Sequence, residues 1–209
     1  MQNGTKKDES ARKPRGRPRA YEPVAALQQA TDAFWKTGYA GTSLDDIAAA
    51  TGMNRPSLRA AFGDKRAIYL KALNAYWEHK LAAMREVLGG DLPLDQALMS
   101  VYDAALSIYF SGRGRARGCF VVGTAVTEAV HDAETRKVVS EGFRKLDADF
   151  AARLRLAQET GELKRCADPE ALAMLATATM QTMAIRARAG SSREDLRRFA
   201  EKAVAVICG

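Results

Sequence analysis

Arg55, Pro56, Ser57 and Arg59 fall in one short segment directly after Asn54, and no other grouping in the 209-residue chain is as suggestive chemically. A guanidinium is a planar fork of donors that can engage two acceptors at once. The O6/N7 edge of guanine in the major groove is such an acceptor pair, and a bidentate contact there discriminates by about 1–3 kcal/mol. A second group, Arg15-Gly16-Arg17-Pro18, sets two arginines around a slim turn. That pattern is similar to an AT-hook core, which suits a narrow, strongly negative minor groove. Groups for covalent chemistry are sparse. There are two histidines, His79 and His131, and three widely spaced cysteines, Cys119, Cys166 and Cys208, with no CxxC or HxxxH pairing. Neither a convergent catalytic set nor a zinc site is expected, no cofactor is implied, and the thiols read as reduced.

The arginines need a short helix to carry them, and the surrounding punctuation supplies one. Glu22-Pro23 opens a first helix, with Val24, Leu27, Ala30 and Phe34 as its apolar stripe and Gly38 at its end. Ser43, with Asp46 three residues on, forms a capping box for a second helix, which Gly52 breaks after barely two turns. Asn54 caps a third, in which Leu58 and Phe62 share the inner face. Two short helices joined by a tight turn and resting on a longer one make a helix-turn-helix. In that motif the amino end of the second helix reaches base edges. Thr42 and Ser43, at the start of the second helix, and Lys65, at the start of the fourth, are candidates for phosphate contacts.

Beyond Asp64 the periodicity stays helical. Leu70, Leu73, Trp77, Leu81 and Met84 mark one long helix, and Leu94, Leu98, Val101, Ala105 and Ile108 the next. A glycine- and arginine-rich loop at 111–118 leads to a helix over about 119–130. Further helices run over about 139–160, from Asp168-Pro169 to about Ala189, and after Ser192. The expectation is an all-α, nine-helix chain in two parts: a helix-turn-helix domain at 21–65 and a helical body at 66–209. They follow a disordered basic arm at 1–20. No apolar run reaches membrane-spanning length, and the start lacks the apolar core of a secretory signal, so a cytoplasmic protein with no membrane partner is expected.

The net charge of +7 is unevenly placed. Residues 1–20 carry +5, residues 21–80 carry +1 and residues 81–209 carry +1. A basic arm on a near-neutral body points to a polyanion. One competing reading gives all DNA binding to that arm. The other, an enzyme, lacks a motif.

The run Gly38-Tyr39, Thr42-Ser43, Asp46-Ile47-Ala48, Gly52-Met53-Asn54, Ser57-Leu58 and Phe62-Gly63-Asp64-Lys65 resembles the amino-terminal domain of the TetR/AcrR family of repressors, over about a quarter of the chain. Gly118-Cys119-Phe120 followed by Glu128 resembles a recurring piece of one AcrR-like subgroup. The resemblance implies DNA contacts at Ser43, Arg55, Pro56, Ser57, Arg59 and Lys65. Arg59 departs from the pattern, which usually has tyrosine after the leucine, so operator preference is not transferable.

The resemblance also implies a homodimer formed through the last two helices, at about residues 169–207, and a small-molecule inducer bound in the body. Leu172, Leu175, Ala176, Thr179, Met180 and Met183, with Leu196, Phe199, Ala203, Val206 and Ile207, are compatible with such an interface. Tyr102, Tyr109, Phe110, Phe120, Phe143 and Met174 are the ligand candidates, and few charges interrupt the middle stripes, so a mostly apolar inducer is expected. Arg113, Arg115 and Arg117 precede Cys119 and would favour a reactive thiol; a small buried residue opening a helix accounts for it more simply.

Overall fold

The structure is a computed structural model and describes residues 22–112 and 114–209. Among them it contains nine α-helices, one π-helical segment and no strand. The AT-hook-like group with Arg15 and Arg17 lies outside the described residues, as does Arg113.

Three helices build a head. In α1 (Pro23–Thr37), Ala26, Ala30, Thr31, Phe34 and Trp35 are buried, and Gly38 follows with φ 78°. The expected stripe needs one correction: Val24 is 81% exposed, because the buried face turns toward Thr31 and Trp35 rather than toward the amino end. α2 (Leu44–Thr51) opens with the anticipated capping box. The Asp46 amide donates to Ser43 Oγ (3.1 Å) and the Ser43 amide to Asp46 Oδ2 (2.8 Å). Gly52 then takes the left-handed conformation (φ 64°, ψ 12°), which costs a residue bearing a Cβ more than it costs glycine. Asn54 Oδ1 accepts from the Ser57 amide (2.9 Å) to start α3 (Arg55–Phe62). Ile47 and Leu58 are fully buried in the same core and fix how α2 and α3 lie against α1.

The connection to the body is α4 (Lys65–Leu88), capped by Asp64, whose carboxylate accepts from the Ala67 amide at 2.8 Å. At 24 residues it is about 36 Å long. Its expected stripe, Leu70 to Met84, is buried, and so are Ile68, Tyr69 and Ala72. The extra burial arises because the helix is covered by the head along one side and by the body along another.

α5 (Leu94–Tyr109), α7 (Ala133–Thr160), α8 (Pro169–Arg188) and α9 (Arg193–Cys208) form the body with α4. Tyr102 and Tyr109 reach from α5 to donate to the Ala176 and Met180 carbonyls of α8 (3.1 and 3.3 Å). Gly142 of α7 lets the Trp77 ring lie on the backbone, since a Cβ there would stand 2.1 Å from Cε2. Arg66 at the base of α4 bonds Asp132 (2.5 Å) and Glu134 (2.9 Å) at the start of α7, and it holds the Asp132 carboxyl well below the usual carboxylate range.

The segment expected as a plain helix over about 119–130 is instead a π turn, Val121–Ala125, running into the short α6 (Val126–Glu128). Gly123 lies against the Arg188 guanidinium, where a Cβ would come within 2.1 Å of Nη1. A π turn differs from an α turn by one hydrogen-bond step, so apolar periodicity carries almost no sign of it.

Candidate nucleic-acid interface

α3 divides cleanly into two faces. Leu58 and Phe62 are buried in the core, where α3 packs on α2 and α4, whereas Arg55, Pro56 and Arg59 are exposed and Ser57 is half-buried. The amphipathic spacing read from the sequence thus turns both arginines outward. Arg59 makes no ion pair or side-chain hydrogen bond among the described residues. Arg55 is engaged differently: its Nε and Nη2 grip both carboxylate oxygens of Asp45 on α2, the first at 2.5 Å. This pairing draws the Asp45 carboxyl below its ordinary range. Both partners are about three-fifths exposed or more, so the bond is weak in water and can exchange for another acceptor. Asp45 is thus a partner of the candidate reader Arg55 that sequence reading missed. It stands ten positions from Arg55 across the Gly52 turn, and no helical spacing links the two.

Other candidates are placed less simply. Thr42 was expected to donate to phosphate, but its side chain is buried. Its hydroxyl donates to the Gly38 carbonyl (2.6 Å) and lies 2.8 Å from the Thr37 hydroxyl, so it closes the α1–α2 turn instead. Ser43 is exposed, yet its hydroxyl and amide are both committed to Asp46, whose carboxyl that hydroxyl holds below the ordinary range. A phosphate at this position would have to displace a carboxylate. Lys65 is half-buried with Nζ 4.4 Å from the Tyr39 ring centroid, a cation–π contact that leaves the ammonium at the surface beside α3.

Replacing Asp45 by asparagine removes the internal competitor for Arg55. Affinity for duplex DNA is expected to rise roughly two- to tenfold at low salt, with the larger share falling on non-cognate sequences. Fluorescence anisotropy on a cognate and a scrambled duplex measures both. Equal or lower affinity for both duplexes would show that Arg55 never leaves Asp45 for DNA.

The ligand candidates of the body are scattered. Tyr102, Tyr109 and Phe120 are fully buried, and the two tyrosine hydroxyls are already bonded to α8. Phe110 and Phe143 are half-buried, the latter edge-on to Trp77. Met174 was placed with them but is 64% exposed on α8, because the helix turns that face away from the core. An apolar-walled groove of about 430 Å³ touches none of the six; it runs between α1, α4 and the end of α5. Phe120 serves another purpose. Its ring sits 5.4 Å from Trp35, 5.9 Å from Tyr69 and 5.6 Å from Tyr76, in an aromatic cluster that joins the head to the body. Cys119 beside it is buried, and its sulfur accepts from the Tyr76 hydroxyl (3.3 Å), whose burial pushes it well above the ordinary phenol range and keeps it a donor.

Similarity to known proteins agrees with this geometry. Residues 26–72 match the model of bacterial regulatory proteins of the tetR family, and residues 95–203 match the tetracyclin repressor-like C-terminal domain. The HTH-type transcriptional repressor ComR of Escherichia coli (strain K12) is 28% identical over 196 residues, 94% of this chain and 93% of that protein. The uncharacterized HTH-type transcriptional regulator YezE of Bacillus subtilis (strain 168) is 29% identical over 148 residues, 71% of this chain and 76% of that protein. Among solved structures, a cysteine mutant of the TetR family transcriptional regulator CifR, complexed with a 26-base-pair double-strand operator DNA, is 30% identical. It superposes with a TM-score of 0.77, covering 90% of this chain and 98% of that one. Both parts of the chain thus match in sequence and the fold matches in shape, and the chain belongs to the TetR family of bacterial transcriptional regulators.

Proposed function

We propose that the protein is a ligand-responsive repressor that binds a palindromic operator as a homodimer and is released by a small, mostly apolar inducer. The observation that carries this reading is the outward presentation of Arg55 and Arg59 on a short helix whose opposite side, Leu58 and Phe62, is locked into the core. Such a helix can enter a major groove without rearranging the head. Arg55, Pro56, Ser57 and Arg59 are the base-reading candidates, with Lys65 and the amino end of α2 at Ser43 beside the backbone phosphates. CifR, at 30% identity, was solved on operator DNA, which supports the same use of this surface.

Of the residues expected at a dimer interface on the last two helices, Ala176, Thr179, Met180, Met183, Leu196 and Ile207 are buried in the chain's own core, and support for dimerisation comes instead from apolar residues left exposed there. Met174 and Ile185 on α8 are 64% and 56% exposed, with Ala178 exposed between them on the same helical face, and Val206 of α9 is 69% exposed. To read successive major grooves, such a dimer must hold its two recognition helices about 34–36 Å apart, one turn of duplex. Regulation rather than catalysis fits the family to which the chain belongs. Among the described residues no helix is long and apolar enough to cross a membrane.

Selection of bound sequences from random duplexes at low salt, followed by titration of the winners with salt, tests the proposal. An enriched palindrome with half-sites one helical turn apart is the expected result. Recovery of unrelated sequences, with one affinity for all of them, would overturn it and leave only charge-driven binding.

A further inference from the structure

The groove between head and body contains a cation that two α1 residues hold and that is half satisfied along one edge of its guanidinium. Leu27 and Trp35 of α1, Tyr76 of α4 and Ile108 of α5 wall a space of about 430 Å³, and Arg117 closes one end. Arg117 comes from the loop before the π turn and is tied to α1 three times. Its guanidinium carbon stacks 3.6 Å from the Trp35 ring centroid, its carbonyl accepts from Trp35 Nε1 (3.1 Å), and its Nη2 donates to Asp32 Oδ1 (2.5 Å). Nη2 and Nε form one edge of the guanidinium fork, the edge that a carboxylate takes with two parallel bonds. Only Nη2 is used there. Nε is buried with no hydrogen-bond partner. An unmet buried donor is costly, and an acceptor that supplies both bonds gains accordingly.

We propose that this groove is the seat of an amphipathic organic anion, an aromatic or medium-chain carboxylate, which takes the Nε/Nη2 edge of Arg117 from Asp32 and so loosens the head from the body. The apolar walls hold the hydrocarbon part, and the volume falls within the range of small-molecule sites. Asp32 is about half exposed, so on losing Arg117 its carboxylate returns to water at little cost. The ligand's carboxylate is delivered with its apolar part already buried, which gives it an advantage over a free anion. The ion pair it replaces joins α1 to the loop leading into Phe120 and the π turn, so occupancy changes a contact between the two parts of the molecule rather than one inside the body. This inference rests on the regulatory reading in its coupling to DNA, but not in the binding itself.

Benzoate and octanoate, each compared with its neutral amide, are the probes. Trp35 is one of two tryptophans in the chain, so Trp77→Phe leaves a fluorophore in contact with Arg117. In the full-length protein, at least one carboxylate is expected to change Trp35 emission saturably, binding about tenfold or more tightly than its amide. Arg117→Gln should abolish that preference. Asp32→Asn should strengthen carboxylate binding several-fold, an improvement that a merely damaged fold would not produce. Bound carboxylate should lower affinity for a cognate duplex about 5- to 150-fold. The site assignment falls if neither carboxylate binds, if acid and amide bind equally, or if Asp32→Asn weakens the acid. Carboxylate binding with no change in affinity for any duplex would instead leave the site standing and overturn its coupling to DNA.

Discussion

Replacing Arg59 with alanine is expected to lower affinity for the cognate operator about 30- to 10⁴-fold while leaving the protein as stable as before. The effect follows from about 1–3 kcal/mol of base discrimination per bidentate arginine, counted once in each half of a symmetric dimer. Stability should hold because Arg59 is exposed, has no partner among the described residues, and alanine is a better helix former than arginine. Equilibrium binding to cognate and scrambled duplexes, alongside thermal unfolding, separates the possibilities. A loss confined to the cognate duplex identifies Arg59 as a base reader. A small, equal loss on both, with a shallower salt dependence, makes it a phosphate contact. No loss on either duplex would remove Arg59 from the interface. Arg59 is also the position at which the chain departs from the tyrosine usual in the pattern it resembles, so the test bears directly on whether that departure alters base reading.

Phe120→Ala is expected to destabilise the fold by about 3–5 kcal/mol, the range for removing a fully buried aromatic ring and leaving a cavity. For a chain of this size that lowers the melting temperature by roughly 10 °C. Phe120 is completely buried and touches the rings of Trp35, Tyr69 and Tyr76, so the cavity opens where α1, α4 and the π turn meet. Phe120→Leu, which keeps much of the volume, should cost under about 1.5 kcal/mol. Calorimetric unfolding of the three proteins measures the series. If the alanine variant melts within a degree or two of the parent, the ring does not bind the two parts together. A split into two transitions would show that Phe120 is what makes head and body unfold as one unit.

The two predictions draw on different kinds of information. Arg59 was legible as an outward residue from the sequence, because its exposure follows from its place between Leu58 and Phe62 on an eight-residue helix. Phe120 was legible only as an aromatic residue in the middle of the chain, and it was grouped with ligand candidates. Its partners come from positions 35, 69 and 76, and no local spacing brings them together. Much the same holds for Thr42, whose hydroxyl looked available until the fold set it beneath the turn between α1 and α2. Met174 looked like a ligand-pocket residue until α8 set it on the outside.

By itself the sequence determined where the helices of the head begin and end. Ser43, Asn54, Asp64 and Ser192 each cap the helix expected of them through a bond to an amide three residues on, and Gly52 adopts the left-handed turn its position demands. These interactions are local, so residue type and spacing suffice. Tertiary structure alone decided which charges meet. Arg55 finds Asp45 ten residues away, Arg117 finds Asp32 at a separation of 85, and Arg188 meets the Gly123 backbone at 65. Such pairings depend on how helices already formed are packed against one another, and helical periodicity specifies only which face of each helix turns inward.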